Sequence, residues 1–201
     1  MELTFSYILS QILTVVEYGL LGASYLAKNR KAVVFLDILS MSTGIIVYIL
    51  LGADLGMAMS VIILLANFYY LWDENHHNAK ERSKLHLRDY IVLAVVLLAI
   101  GIVTIFTYDG PLSLLSVAAT ALYEISIWQK STKVYKFLGI PVAFCWMSYN
   151  GFEQSIFGVL CEAVMFITSI IGYVRELKAE KKSKRRKLGV KSKPKAKSKN
   201  A

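Results

Sequence analysis

Apolar stretches of about 17–23 residues recur along this chain, and at a rise of about 1.5 Å per residue each matches the hydrocarbon core of a bilayer. They cover Phe5–Ala27, Ala32–Leu51, Leu55–Trp72, Tyr90–Tyr108, Leu112–Trp128, Val134–Phe152 and Ser155–Val174. With 56% hydrophobic residues in a chain of 201, a water-soluble core cannot hide so many long apolar segments. Lipid satisfies no exposed backbone group, so the segments are predicted to be helices. The fold class expected is therefore all-α and integral to the membrane, with seven transmembrane helices. Glu2 and the length of the first apolar run argue against a cleavable signal peptide.

Charge gives the orientation. Residues 1–174 carry 10 Lys/Arg and 12 Asp/Glu, whereas residues 175–201 carry 13 and 2, so the net charge of +9 belongs to the tail. A tail of this kind is no nucleic-acid-binding fold. With seven spans, Lys28, Arg30 and Lys31, then Lys80, Arg82, Lys84 and Arg88, then Lys130, Lys133 and Lys136, all fall on the tail's side. The opposite connections carry Asp54, Asp109 and Glu153. The positive-inside rule predicts an outside N-terminus and a cytoplasmic C-terminus.

An offset of 102 residues superimposes the first three spans on the last three. Lys28/Lys130, Lys31/Lys133, Phe35/Phe137, Leu36/Leu138, Ile38/Ile140, Gly56/Gly158 and Glu74/Glu176 coincide, and 11 of the 62 positions from Leu13 to Glu74 are identical. Three helices end on the face opposite their start, and a single fourth helix returns the chain. The second unit then has the orientation of the first, a parallel repeat of the plan three plus one plus three. The expected divisions are 1–73 for the first repeat, 74–110 for the cytoplasmic loop and linker helix, 111–175 for the second repeat, and 176–201 for a disordered polybasic tail.

Polar residues inside spans should face the bundle or a wet cavity. Gly52, Gly56, Ser60, Ile63 and Asn67 share a face of the third span, and Gly158, Glu162, Met165, Ser169 and Gly172 share one of the seventh. Such a face is either a small-residue packing seam or the wall of a cavity. Gly139, Ala143, Trp146 and Asn150 share a face of the sixth span, and the repeat places Tyr48 at Asn150. Trp146 lies mid-span, as a core side chain or as a platform for a flat solute. Glu17 and Glu162 are candidates for proton coupling or simply buried acids, with Glu124 and Asp37 nearer the basic ends. Trp72 and Trp128 suit interface anchors. His76, His77 and His86 lack a defined metal-ligand set, Cys145 and Cys161 lack a partner spacing, and no catalytic or cofactor motif is present. The chain is therefore expected to be no enzyme.

Cys145-Trp146, Asn150, Ser155-Ile156, Gly158, Glu162 and Arg175, with Leu50-Leu51-Gly52-Ala53 leading to Gly56, resemble the bacterial inner-membrane YgjV family over roughly residues 8–176. The resemblance implies an inner-membrane location and a distant likeness to SWEET facilitators and PQ-loop proteins. The SWEET pattern implies solute contacts at Asn67 and Ser169. The chain departs from it in lacking a Pro-Gln pair, and Pro141 is the one proline inside a repeat span.

The leading expectation is a carrier for a small polar solute, with Asn67, Trp146, Asn150, Ser169 and Tyr48 lining the cavity. A vitamin carrier of the PnuC type is a sub-case resting on Asn67 and Trp72. The alternative is a non-transporting membrane interaction protein that uses the seams to bind further copies of itself and the tail to bind lipid or a soluble partner. In either case the partners are the bilayer and, at the tail, anionic lipid headgroups.

Overall fold

The structure is a computed structural model and describes residues 5–52, 54–77, 84–108, 110–152 and 156–191. Lys80, Arg82, Asp109, Glu153 and residues 192–201 of the tail lie outside the described residues. Seven α-helices and no strands are found among the described residues: α1 Phe5–Leu26, α2 Arg30–Leu51, α3 Asp54–His76, α4 Leu87–Thr107, α5 Ser113–Trp128, α6 Thr132–Phe152 and α7 Ile156–Lys191. Five of them, all but α5 and α6, are long and apolar enough to cross a membrane. α5 is shorter, at 16 residues. Polar residues near the end of α6, such as Ser148 and Asn150, dilute its apolar content.

Local chemistry sets the helix ends. The Asn29 side chain accepts the Ala32 amide at 2.8 Å and starts α2. Gly52 closes α2 at φ 65°, a left-handed conformation that costs glycine nothing. Gly110, at φ 104°, and Pro111 turn the chain into α5. α1 ends at Leu26 and α5 at Trp128, and α2 starts at Arg30 and α6 at Thr132. Both pairs of boundaries are 102 residues apart.

Each helix packs on its neighbours in the chain, and α7 returns to pack on α1. The burial pattern is inverted relative to a water-soluble protein. Ile12, Val15, Leu98, Ile105 and Phe106 are exposed, while Ser24, Asp37, Asn67, Glu124 and Ser169 are fully buried. Lipid replaces water as the outer solvent, so polar groups gain by turning inward.

The α1–α6–α7 contact depends on glycine. A Cβ at Gly172 would overlap the backbone carbonyl of Tyr25, and one at Gly139 would overlap the Tyr25 ring. A backbone oxygen cannot rotate away. Gly172→Ala should therefore cost about 1–3 kcal/mol by overpacking. Denaturant unfolding of the purified protein in detergent measures it, and unchanged stability would refute the close approach.

The tail differs from its expectation. Disorder is predicted from residue 176, yet α7 runs unbroken to Lys191. Ion pairs from Lys133 to Glu180 at 2.7 Å and from Lys184 to Glu180 at 2.8 Å support the extension. Composition alone misses this, because the acidic residues that pair with α6 and along α7 are few among many lysines.

Candidate functional site

A cavity of about 440 Å³ lies among α1, α2, α3, α5, α6 and α7. Its wall residues sit mainly in the half of the bundle nearest the acidic turns. Tyr48 belongs to the end of α2, Gly56 and Ser60 to the start of α3, Ser113 and Ser116 to the start of α5, and Trp146, Tyr149 and Asn150 to the end of α6. Glu17 and Tyr18 from α1 and Glu162 from α7 complete the polar lining. Tyr18 donates to Glu162 Oε1 at 3.0 Å.

Two glycines make room for these side chains. A Cβ at Gly44 would stand 2.5 Å from Glu17 Oε1, and one at Gly56 would stand 2.5 Å from the Tyr48 ring. The small-residue face of α3 thus serves as packing seam and cavity wall at once. Trp146 meets Tyr149 edge to face at 5.9 Å. Tyr25, Tyr123 and Met165, all buried, form the wall on the side nearer the basic ends.

Of the residues singled out from sequence, Tyr48, Trp146, Asn150, Glu17 and Glu162 come together here. Asn67 and Ser169 do not line the cavity. Both are fully buried, about two turns closer to the basic ends than Ser60 and Glu162. Ser169 Oγ is spent on the Met165 carbonyl at 2.8 Å. Helical periodicity placed them on the right faces, but a cavity occupies only part of a helix's length.

Beyond the tyrosine wall lies a second polar group. The Tyr25 and Tyr135 rings stack at 4.7 Å. The Tyr135 hydroxyl donates to Asp37 Oδ1 at 3.1 Å and lies 2.7 Å from Ser24 Oγ. Glu124, Asn67, Tyr70 and Tyr123 are buried nearby.

Ion pairs then close the basic end. Lys130 Nζ is buried between Asp73 Oδ2 at 2.7 Å and Asp89 Oδ2 at 2.8 Å, joining the α5–α6 link to α3 and α4. Its backbone is left-handed, at φ 64°. Arg30 pairs with Glu74 at 2.8 Å. Lys136 holds Glu176 at 2.6 Å and donates to the Ala27 carbonyl at 2.6 Å, tying α6 to α7 and to the end of α1. Thr132 donates to Glu176 at 3.3 Å. Arg30/Thr132 and Glu74/Glu176 are equivalent positions at the 102-residue offset, and the two contacts correspond.

In the sequence, Lys130 and Lys136 read as loop charges that report orientation. Both side chains are buried. The coincidence of Glu74 with Glu176 was the available signal, because a carboxylate recurring beside basic residues announces pairs.

His77 pairs with Asp73 at 3.1 Å and stacks on His86 at 5.2 Å. No group of three or more His, Cys, Asp or Glu that could hold a metal is found among the described residues. Cys145 and Cys161 are free thiols. Trp72 packs beneath the Arg88 guanidinium at 5.1 Å, and Trp128 meets Tyr90 edge to face.

Apolar exterior, charged interior and a cavity lined by both polar and apolar side chains define a multi-pass helical membrane protein. The chain belongs to the Imp-YgjV family, described as bacterial inner membrane protein, and the match covers residues 8–180. No curated protein and no solved structure matches the chain.

Proposed function

We propose that the chain is a carrier for a small polar solute, with all seven helices spanning the inner membrane. The observation that carries this reading is the 440 Å³ cavity, which sets an indole, an amide, a phenol and two carboxyls around one space drawn from both halves of the chain. Its volume suits a small metabolite. Trp146 would stack on the solute's flat or apolar face, and Asn150 and Tyr48 would supply directional hydrogen bonds. Glu17 or Glu162 would adjust affinity through its protonation.

The matching helix boundaries and the corresponding Arg30–Glu74 and Thr132–Glu176 contacts support two parallel three-helix repeats joined by α4. The charge map supports a cytoplasmic basic end. On this reading the Lys130, Arg30 and Lys136 pairs form a cytoplasmic gate. Solute release would need them to part, and Pro141, which removes one backbone hydrogen bond from α6, offers a point of flexing. The SWEET-like plan bears on the arrangement alone. The vitamin-carrier sub-case rests on Asn67 and Trp72, neither of which lines the cavity, so it draws no support from the geometry.

Reconstituted protein should move at least one member of a panel of sugars, amino acids and vitamins into liposomes. Trp146→Ala and Asn150→Ala should each lower initial uptake about tenfold, the effect of losing about 1.4 kcal/mol of solute contact. A full panel with no uptake above empty liposomes would sink the proposal.

A further inference from the structure

Asp37 and Glu124 sit outside the solute cavity, and nothing in the transport reading uses them. They are fully buried carboxyls on α2 and α5. Neither oxygen of Glu124 has a hydrogen-bond partner, nor does Asp37 Oδ2. The Tyr70 hydroxyl has none either, whereas the Tyr123 hydroxyl bridges Asp37 and Asn67. Tyr123 faces Asp37 and Asn67, and Tyr70 faces Glu124, so these groups form one cluster.

An unpaired buried polar group costs about 1–3 kcal/mol, and more when it is charged. One such group would be a local defect. Four converging on one place, three of them carboxyl oxygens of Asp37 and Glu124, mark a site that binds something.

The charges around it do not balance. From α1 come Ser24 and Tyr25, from α6 Tyr135 and from α7 Ser169, all neutral. α4 faces Tyr70 with Asp89, which Lys130 already pairs. The one nearby cation is Arg30, which lies 6.0 Å from the Tyr70 ring and is held by Glu74 at 2.8 Å. Arg30 and Glu74 cancel, leaving two carboxyls with no partner cation. Two bare carboxylates cannot share a dry interior.

We propose that Asp37 and Glu124 form an exchangeable site for one small monovalent cation, a proton or Na⁺, with Asn67 Oδ1 and the Tyr123 hydroxyl as further oxygen donors. The cation binds to a carboxylate oxygen without any other bond being made or broken. Tyr25 and Tyr123 divide this site from the cavity, and the basic-end ion pairs divide it from the opposite surface. It is therefore placed to report which end of the bundle is open. The site stands whether or not the cavity carries a solute, because its occupancy is read directly.

The test is infrared difference spectroscopy of the full chain in lipid films, in an E17Q/E162Q background that silences the cavity carboxyls. Buffer is exchanged from about pH 5 to about pH 9, a range that covers a shifted buried carboxyl. The expected result is a protonated-carboxyl C=O band that disappears as pH rises. Glu124→Gln should remove about half of it or more, because the two groups titrate as a coupled pair. Asp37→Asn should do likewise.

Adding Na⁺ against choline at fixed pH separates the two cations. Loss of the band with Na⁺ alone assigns Na⁺ exchange, and no response assigns a proton-only site. A band that stays constant across the pH range would overturn the proposal, since it would mark a permanently protonated structural acid. That criterion needs no variant at the site. An unchanged pH response in folded E124Q and D37N would overturn it as well.

Discussion

Lys130→Ala should destabilise the protein by about 3 kcal/mol, at the low end of the range for breaking a buried ion pair. The ammonium is buried between Asp73 and Asp89, and its loss strands two carboxylates at once. The cost stays at the low end because each acid keeps other partners. Asp73 retains His77 at 3.1 Å and Arg88 at 3.8 Å. Asp89 retains the Tyr69 hydroxyl at 2.8 Å and the His86 amide at 2.7 Å.

The backbone supplies an internal control. Lys130 is the one described residue other than glycine with a positive φ. A left-handed conformation costs a residue with a Cβ about 1 kcal/mol or more. Lys130→Gly should therefore be more stable than Lys130→Ala by about 1 kcal/mol, although both lose the same charge. Chemical denaturation in detergent gives both numbers. Equal stability of wild type and both variants would mean that the ion pairs contribute nothing net.

Tyr25→Ala should be as damaging, at about 3–5 kcal/mol for truncating a buried aromatic side chain. The ring stacks on Tyr135, fills the space over Gly139 and forms part of the cavity wall. Tyr25→Phe keeps the ring and should cost no more than about 1.5 kcal/mol. A small loss in the alanine variant would show that the glycine seam can collapse around the gap.

The sequence carried the architecture further than the site. Apolar length and capping residues located all seven helices, and α2 ends at Leu51, α5 at Trp128 and α6 at Phe152, where the apolar runs stop. Side-chain period then named the residues sharing each face. It did not fix depth. Asn67 lies two turns beyond Ser60 on the same face of α3, yet only Ser60 reaches the cavity.

Pairing between helices was less legible still. Asp37 and Glu124 are 87 positions apart, yet both are fully buried and close enough for Asp37 to perturb Glu124. Lys130 and Lys136 looked like any other loop lysines, since local sequence does not say whether a flexible charged side chain bends back into the bundle.

The unbroken run of α7 makes the C-terminal segment a mechanical part. From Arg175 to Lys191 the helix extends about 25 Å past the expected end of its span, at 1.5 Å per residue. A disordered segment would absorb any movement at its base. A stiff helix instead amplifies it, so that a tilt of about 10° at the bundle would sweep Lys191 through about 4 Å. Because Lys133 and Lys136 brace the root of this arm through Glu180 and Glu176, its angle is coupled to α6, the helix that carries Trp146 and Asn150.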